Sequence, residues 1–250
     1  MNETLDTPPE TKSKPASWWD LILYLAAGLG LFFAAGILTT YLLWDKPAIL
    51  SSIITYLLSI LFLTGTVLLL GVRRGRVSLA GMGFVPPTWR WRWLWQALAL
   101  SAALIPLRAI LGVVVVLLTE NGIENLAARQ ELILPSEGFS WITFAITLVG
   151  AGIIAPISEE LYFRGLLHGW FQSRFRFWPR VLLSSALFGL AHFDSPAVVA
   201  SSFMLGVANA ITYERTKSLW FPIVMHVITN GTAVILLYVA MAIQEMFILP

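Results

Sequence analysis

The stretch Leu21–Leu43 reads LILYLAAGLGLFFAAGILTTYLL and contains no charged residue. At a rise of about 1.5 Å per residue, a helix of this length crosses the roughly 30 Å hydrocarbon core of a bilayer. Lipid offers no hydrogen-bond partner to the backbone, and no strand pattern appears in the sequence. We therefore expect this stretch to be a membrane-spanning helix.

Similar apolar segments follow along the whole chain. Three of them are long enough, or nearly so, to span a bilayer: Ala48–Val72, Leu94–Leu118 and Trp141–Ile157. In the C-terminal half the segments are a short one, a borderline one and a long one: Arg180–His192, Ala197–Tyr213 and Leu219–Phe247. The count is seven hydrophobic helices, and an eighth, shorter helix around Leu166–Phe177 stays open. The sequence predicts an all-α, polytopic membrane helix bundle of about seven or eight transmembrane helices.

The composition agrees with a membrane protein. Of the 250 residues, 58% are hydrophobic and 12% are charged, and the mean hydropathy is +0.78. Soluble domains carry about 25% charged residues, so these values exclude a disordered chain and oppose a soluble enzyme. The chain has no cysteine. Disulfide scaffolds, thiol nucleophiles and cysteine metal sites are therefore excluded.

The chain is expected to form one membrane domain without a soluble module. Residues 1–17 are polar and proline-rich and predict a disordered cytoplasmic tail rather than a cleavable signal peptide. Residues 18–139 are predicted to supply the N-terminal membrane helices, and residues 140–250 a membrane core that contains the candidate functional residues considered below. No internal repeat is visible, and nothing in the sequence indicates an oligomeric state.

Basic residues predict the orientation. They cluster before the first span, between the second and third, after the fourth and before the last: Lys12, Lys14, Arg73, Arg74, Arg76, Arg90, Arg92, Arg174, Arg176, Arg180, Arg215 and Lys217. The alternate connection Thr119–Phe139 is acidic instead. The positive-inside rule places the N-terminus in the cytoplasm and, with seven spans, the C-terminus outside. A plasma or bacterial inner membrane is the expected location.

Two stretches interleave aromatic and basic residues. Trp89–Trp95 alternates tryptophan with arginine directly before an apolar span. This position favours an aromatic belt at the cytoplasmic interface over a nucleic-acid platform, so the bilayer is the expected partner and nucleic acid is not. A second belt, comprising Phe171, Arg174, Phe175, Arg176, Phe177 and Trp178, suggests a helix lying in the interface.

Ionisable residues inside membrane segments are costly and mark candidate functional sites. Glu159 and Glu160 are adjacent, and Arg164 follows Glu160 at i+4, so Glu160 and Arg164 share a helix face and can pair. Glu159 is rotated by about 100° around the helix axis from Glu160, so it faces a different neighbour and stays available for chemistry. His226 and Asn230 are also four residues apart, and His192 lies on another helix.

These residue types can activate water. A carboxylate beside imidazoles can act as a general base, and Asn230 could donate a hydrogen bond to an oxyanion. Glu159, His192 and His226 could also hold a catalytic zinc, and a metal-free mechanism stays open. No Gly-x-Ser-x-Gly elbow surrounds any serine, which disfavours serine catalysis. The same residues could instead form a structural ion pair and interhelical hydrogen bonds, without any catalytic role.

Two other polar residues are left with weaker predictions. His168 is placed near the cytoplasmic interface, where a histidine costs little, and a catalytic role is not favoured. Arg108 lies inside the third apolar segment. It could extend to the interface, pair with another group or bind lipid.

Three motifs carry a resemblance to a known family. Glu159-Glu160-Leu-Tyr-Phe-Arg164 resembles an EExxxR motif, Phe188-Gly-Leu-Ala-His192 an FxxxH motif, and His226-Val-Ile-Thr-Asn230 an HxxxN motif. In this order they resemble the CAAX protease and bacteriocin-processing (CPBP) family of intramembrane proteases. The stretch from Gly206 to Pro222 is similar to the family's usual lead-in to the last motif. The resemblance covers about residues 142–234.

The resemblance implies an intramembrane endopeptidase whose polar chamber opens toward the cytoplasm. It assigns water activation to Glu159 with help from His192, and places His226 and Asn230 as lining residues that stabilise the oxyanion. Glu160 and Arg164 would organise the site. The substrate would be a peptide or protein, prenylated or not, and zinc and metal-free mechanisms are both argued for the family.

Two rival functions remain open. One is a catalytically silent immunity or scaffold protein of the same family, which would use the same core to bind a peptide. The other is a transporter that uses the Glu/His cluster as a proton or metal path. The absence of repeat symmetry argues mildly against a transporter.

Overall fold

The computed structural model describes residues 16–85, 90–119, 124 and 138–248. The predicted disordered tail, apart from Ala16 and Ser17, lies outside the described residues. So do Trp89 of the first aromatic belt and most of the acidic connection Thr119–Phe139.

The described part of the chain is built from seven long helical elements. They are α1 (Trp18–Leu42), α2 (Ala48–Val72), α3 (Trp91–Leu118), α4 (Trp141–Gln172), α5 (Phe177–Leu190), α6 (Pro196–Thr216) and α7 (Trp220–Ile248). All but α5 are long and apolar enough to cross a membrane, and the described residues include no strand. The all-α prediction is confirmed: the chain is an integral membrane protein with a polytopic helix bundle.

Helix α4 is longer than the sequence suggested. The fourth span was expected to end at Ile157, with a separate helix over Leu166–Phe177. Instead one helix continues from Trp141 to Gln172, through wide π-type turns at Gly150–Ile154 and Leu161–His168. The polar Ser-Glu-Glu triplet broke the hydropathy pattern, but Glu160 pairs with Arg164 inside the protein and the helix does not stop there.

The second aromatic belt is consequently not an interfacial helix. Phe171 belongs to the end of α4 and is buried in the core, while Trp178 is exposed near the start of α5. The turn between α4 and α5 separates Phe171 from Trp178. In the first belt Trp91 and Trp95 are exposed, but Trp93 is buried against Phe221 of α7.

The second half of α4 is the centre of the bundle. Every residue of Leu161–His168 is buried, in a cluster with apolar side chains of α1, α2, α5, α6 and α7. The Tyr162 hydroxyl donates a 2.8 Å hydrogen bond to the Tyr24 carbonyl of α1. A Cβ on Gly28 would lie 2.3 Å from the Tyr162 ring, so only glycine lets α1 approach this closely.

Ion pairs close the end of the bundle that bears the N-terminus of α1. Asp20 of α1 pairs with Arg74 at 3.1 Å and with Arg76 at 3.2 Å, just beyond α2. Glu214 of α6 pairs with Arg180 of α5 and with Lys217. Because the arginines of the connections gather here, we call this end the arginine face.

Helices α5 and α6 form an antiparallel hairpin that packs through small residues. A Cβ on Gly206 would lie 3.1 Å from the Ser185 backbone, and one on Gly189 would lie 2.9 Å from the Val199 carbonyl. Helix α7 packs against α3, α4 and α6. These packings bring α4, α5, α6 and α7 around one polar centre.

Candidate active site

Glu160 lies at the centre of a fully buried polar network. Its Oε2 is 3.2 Å from Nε of Arg164, one helical turn along α4, and neither side chain is exposed. Its Oε1 accepts hydrogen bonds from Nδ2 of Asn209 at 2.7 Å and from Nδ1 of His226 at 2.8 Å. Glu160 thus joins α4, α6 and α7, as a buried carboxylate must be paired and hydrogen-bonded to be tolerated.

Arg164 completes this network from the other side. Its Nη2 donates a 3.0 Å hydrogen bond to the Gly206 carbonyl of α6, and its guanidinium lies 4.5 Å from the centre of the Phe188 ring of α5. The predicted pairing of Glu160 with Arg164 is present in the structure. An arginine suits this position because its planar group can pair with a carboxylate and stack on a ring at once.

Glu159 has a different environment, although it is the next residue. Its side chain is 16% exposed, and its Oε2 accepts no hydrogen bond from any described residue. The nearest charged or imidazole partner is Nε2 of His226, at 3.7 Å. Glu160 is therefore fixed by its neighbours, whereas Glu159 has an oxygen that is free to accept a proton.

The hydrogen bond to Glu160 fixes the orientation of the His226 ring. Since a carboxylate accepts, Nδ1 of His226 carries the proton in that bond. In the neutral ring Nε2 then bears a lone pair and faces Oε2 of Glu159. Two acceptors so placed favour a donor between them, and a water molecule is such a donor.

His192 lies just beyond the end of α5. Its Nδ1 donates a 2.8 Å hydrogen bond to the Phe188 carbonyl, which leaves Nε2 of the neutral ring as a proton acceptor. The Phe188 ring lies between the two histidines, 4.8 Å from the His192 ring and 5.6 Å from the His226 ring. The structure gives Glu159 direct proximity to His226, and His192 shares the cavity with His226.

A cavity of about 640 Å³, lined by both polar and apolar side chains, adjoins the two histidines. Phe188, His192, His226 and Asn230 line it on one side, and Ser51, Ser52 and Thr55 of α2 line it on another. Asn230 is held by a 3.3 Å hydrogen bond from its Nδ2 to the Ala151 carbonyl of α4. The second N–H of this amide is left for another acceptor, as an oxyanion donor requires.

The sequence analysis missed Asn209. It is fully buried on α6 and donates the shortest hydrogen bond that Glu160 accepts. The sequence did carry a signal, because a polar amide inside an apolar helix is costly and needs a partner. The partner could not be identified without the helix packing.

His168 and Arg108 both have hydrogen-bond partners inside the protein. His168 is fully buried, with Nδ1 2.9 Å from the Ser184 hydroxyl and Nε2 2.8 Å from Glu214. It therefore belongs to the ion-pair cluster of the arginine face. Arg108 lines the cavity and donates from Nε to the Ser201 carbonyl at 3.0 Å, so pairing is the outcome among the three options.

Across the residues that the structure describes, no three His, Asp or Glu side chains converge on one point. Zinc stays a prediction from the sequence, and no chemical step below depends on it.

Comparison with known proteins agrees with the motifs. Residues 141–232 match the family model of the Rce1-like type II CAAX prenyl endopeptidases. This segment is similar to that family. It contains all three motifs and Asn209, and the resemblance predicted from the sequence is confirmed.

Two curated relatives are similar to part of the chain. "Putative membrane peptidase YdiL" of Bacillus subtilis is 33% identical over 91 residues, which are 36% of this chain and 37% of that protein. "Uncharacterized 24.3 kDa protein" of Escherichia coli is 32% identical over 109 residues, 39% of this chain and 50% of that protein. The matched regions thus span half or less of these relatives. No solved structure matches the chain.

Proposed function

We propose that the protein is an intramembrane peptidase that hydrolyses a peptide bond with water activated by Glu159. The observation that carries this proposal is the asymmetry of the glutamate pair. Glu160 is fixed by Arg164, Asn209 and His226, whereas Oε2 of Glu159 accepts no hydrogen bond among the described residues. A general base needs such an available oxygen, held next to groups that can share its proton.

The chemical steps follow from this arrangement. A water molecule between Glu159 and His226 loses a proton to Oε2 of Glu159 as its oxygen bonds to the peptide carbonyl carbon. The free N–H of Asn230 donates to the oxyanion that forms. The C–N bond then breaks as the proton passes to the leaving nitrogen. Nε2 of His192 or His226 can relay that proton.

Each surrounding residue has a defined part in this mechanism. Glu160 keeps Nδ1 of His226 protonated and so turns its Nε2 toward Glu159. Arg164 neutralises Glu160, which lets Glu159 be the carboxylate that exchanges protons. The substrate is a polypeptide that reaches the cavity from water or from the bilayer, and the membrane is the plasma or inner membrane.

The deciding experiment compares wild type, Glu159→Gln and Glu245→Gln. Glu245 is a matched control because it lies near the far end of α7 and contacts the Phe139 backbone. Cleaved termini would be mapped in membranes of cells that express each variant, and the purified proteins would be assayed on a quenched hydrophobic peptide library. We expect cleavage with wild type and Glu245→Gln, and none with Glu159→Gln.

The same preparations separate the rival functions. Cleavage that survives Glu159→Gln would overturn the role of Glu159. Absence of any wild-type cleavage in both assays, with biological activity retained in Glu159→Gln, would favour a silent peptide-binding protein. Ion flux in liposomes that depends on Glu159 would favour a transporter. Bound zinc, measured on each sample, would show whether a metal takes part.

A further inference from the structure

The cavity lies in the half of the bundle that points away from the arginine face. Its lining residues on α1 and α2, namely Thr40, Ser51 and Ser52, are next to the connection between these helices. On α6 it is lined by Val198 and Ser201, close to the start of that helix. Each of these positions is at the end of its helix opposite to the arginines.

The half of the bundle toward the arginine face is filled by side chains. Leu161, Leu166 and Leu167 of α4 are buried there with Tyr24, Val67 and Leu219. The ion pairs of Asp20 and of Glu214 close the same end. A chain that entered from this side would have to displace the core, so the cavity communicates with the other side.

The position of Glu159 favours neither side of the membrane by itself, because Glu159 lies near the middle of α4, Trp141–Gln172. On α4 the cavity is lined by Thr147 and Ala151, which both lie on the Trp141 side of Glu159. The arginine-bearing turn after Gln172 is on the opposite side.

Charge assigns the two faces to compartments. The connections of the arginine face contain Arg73, Arg74, Arg76, Arg90, Arg92, Arg174, Arg176, Arg180, Arg215 and Lys217. At the other end the described residues supply Lys46 alone, and the acidic connection after α3 adds Arg129. Such a bias in short connections places the arginine face in the cytoplasm.

We infer that the catalytic cavity opens on the non-cytoplasmic side of the membrane and takes polypeptide that reaches it from that side. The substrate named in this inference rests on the proposed function, whereas the position of the cavity opening does not depend on that function. A secreted peptide, or the non-cytoplasmic flank of a membrane protein, is the substrate class that fits.

The absence of cysteine permits a direct test. Single cysteines would be introduced as Asp45→Cys in the α1–α2 connection, Ser52→Cys in the cavity wall, and Ser173→Cys in the turn of the arginine face. Asp45 and Ser173 are exposed, and Ser52 is half-buried on the cavity. A membrane-impermeant maleimide would be applied to intact spheroplasts of a bacterial host and to lysed membranes.

We expect Asp45→Cys and Ser52→Cys to react in intact spheroplasts, and Ser173→Cys to react only after lysis. Reaction of Ser173→Cys in intact spheroplasts would overturn the orientation. Reaction of Ser52→Cys only after lysis, or only after denaturation, would overturn the position of the opening. Adding Glu159→Gln should leave the labelling unchanged, so this test and the test of catalysis can fail separately.

Discussion

The His226 imidazole bridges two adjacent glutamates, with Nδ1 2.8 Å from Oε1 of Glu160 and Nε2 3.7 Å from Oε2 of Glu159. One ring thereby connects a carboxylate with a structural role to one that can exchange protons. The two glutamates differ by a single position in the sequence, yet the structure predicts opposite consequences for their substitution.

Glu160→Ala should destabilise the protein strongly, whereas Glu159→Gln should not. Removal of Glu160 leaves Arg164 charged and unpaired in the core, which costs about 3–5 kcal/mol. Thermal unfolding in detergent, followed by intrinsic fluorescence, measures the difference. Equal melting temperatures for Glu160→Ala and wild type would contradict the assigned roles.

The double variant Glu160→Leu/Arg164→Met should be more stable than either single variant. Replacing both members of a buried ion pair removes the unpaired charge that each single replacement leaves behind. A double-mutant cycle on unfolding free energies would show coupling between the two positions. The double variant should nevertheless be inactive, because His226 loses the acceptor that orients it.

Asn209→Ala should lower turnover more than substrate affinity. The Asn209 amide holds Oε1 of Glu160, and a hydrogen bond to a charged group contributes about 1.5–3 kcal/mol. Steady-state kinetics would separate kcat from KM, with Thr212→Ala as the control. The Thr212 hydroxyl bonds only to the backbone of its own helix, at Asn209. Equal losses of kcat in the two variants would argue against a positioning role.

Replacing the buried His168 with alanine should have a different effect from replacing His192, which lines the cavity. His168→Ala removes contacts to Ser184 and Glu214 and should lower the melting temperature while turnover per folded molecule is retained. His192→Ala removes a proton acceptor of the cavity and should lower turnover with little effect on melting. The reverse pattern would exchange the structural and catalytic assignments.

Two glycines of α1 provide a packing test. Gly28→Ala places a methyl group against the Tyr162 ring and should destabilise the protein by about 1–3 kcal/mol. Gly36→Ala places one where nothing lies within 4 Å and should be neutral or stabilising. Similar unfolding temperatures in detergent for the two variants would contradict the close approach of α1 and α4.

The sequence predicted those features that depend on local spacing. The helical class followed from apolar length, and the Glu160–Arg164 pair followed from the i, i+4 rule. The end of α4 was misjudged, because hydropathy scores Glu160 and Arg164 as polar, whereas in the structure α6 and α7 provide hydrogen-bond partners for them. Asn209 and the 3.7 Å approach of His226 to Glu159 depend on α6 and α7 packing against α4, which spacing along one helix does not reveal.

Helix α5 has 14 residues, about 21 Å at the standard helical rise, and so ends before it has crossed the hydrocarbon layer. The non-helical backbone that follows, around His192, is tolerated at such depth only when it is shielded by protein or faces water. Hydrolysis consumes water, which the surrounding lipid lacks. The early end of α5 therefore places His192 in the cavity wall, and an entry for water at this break is what the role proposed for Glu159 requires.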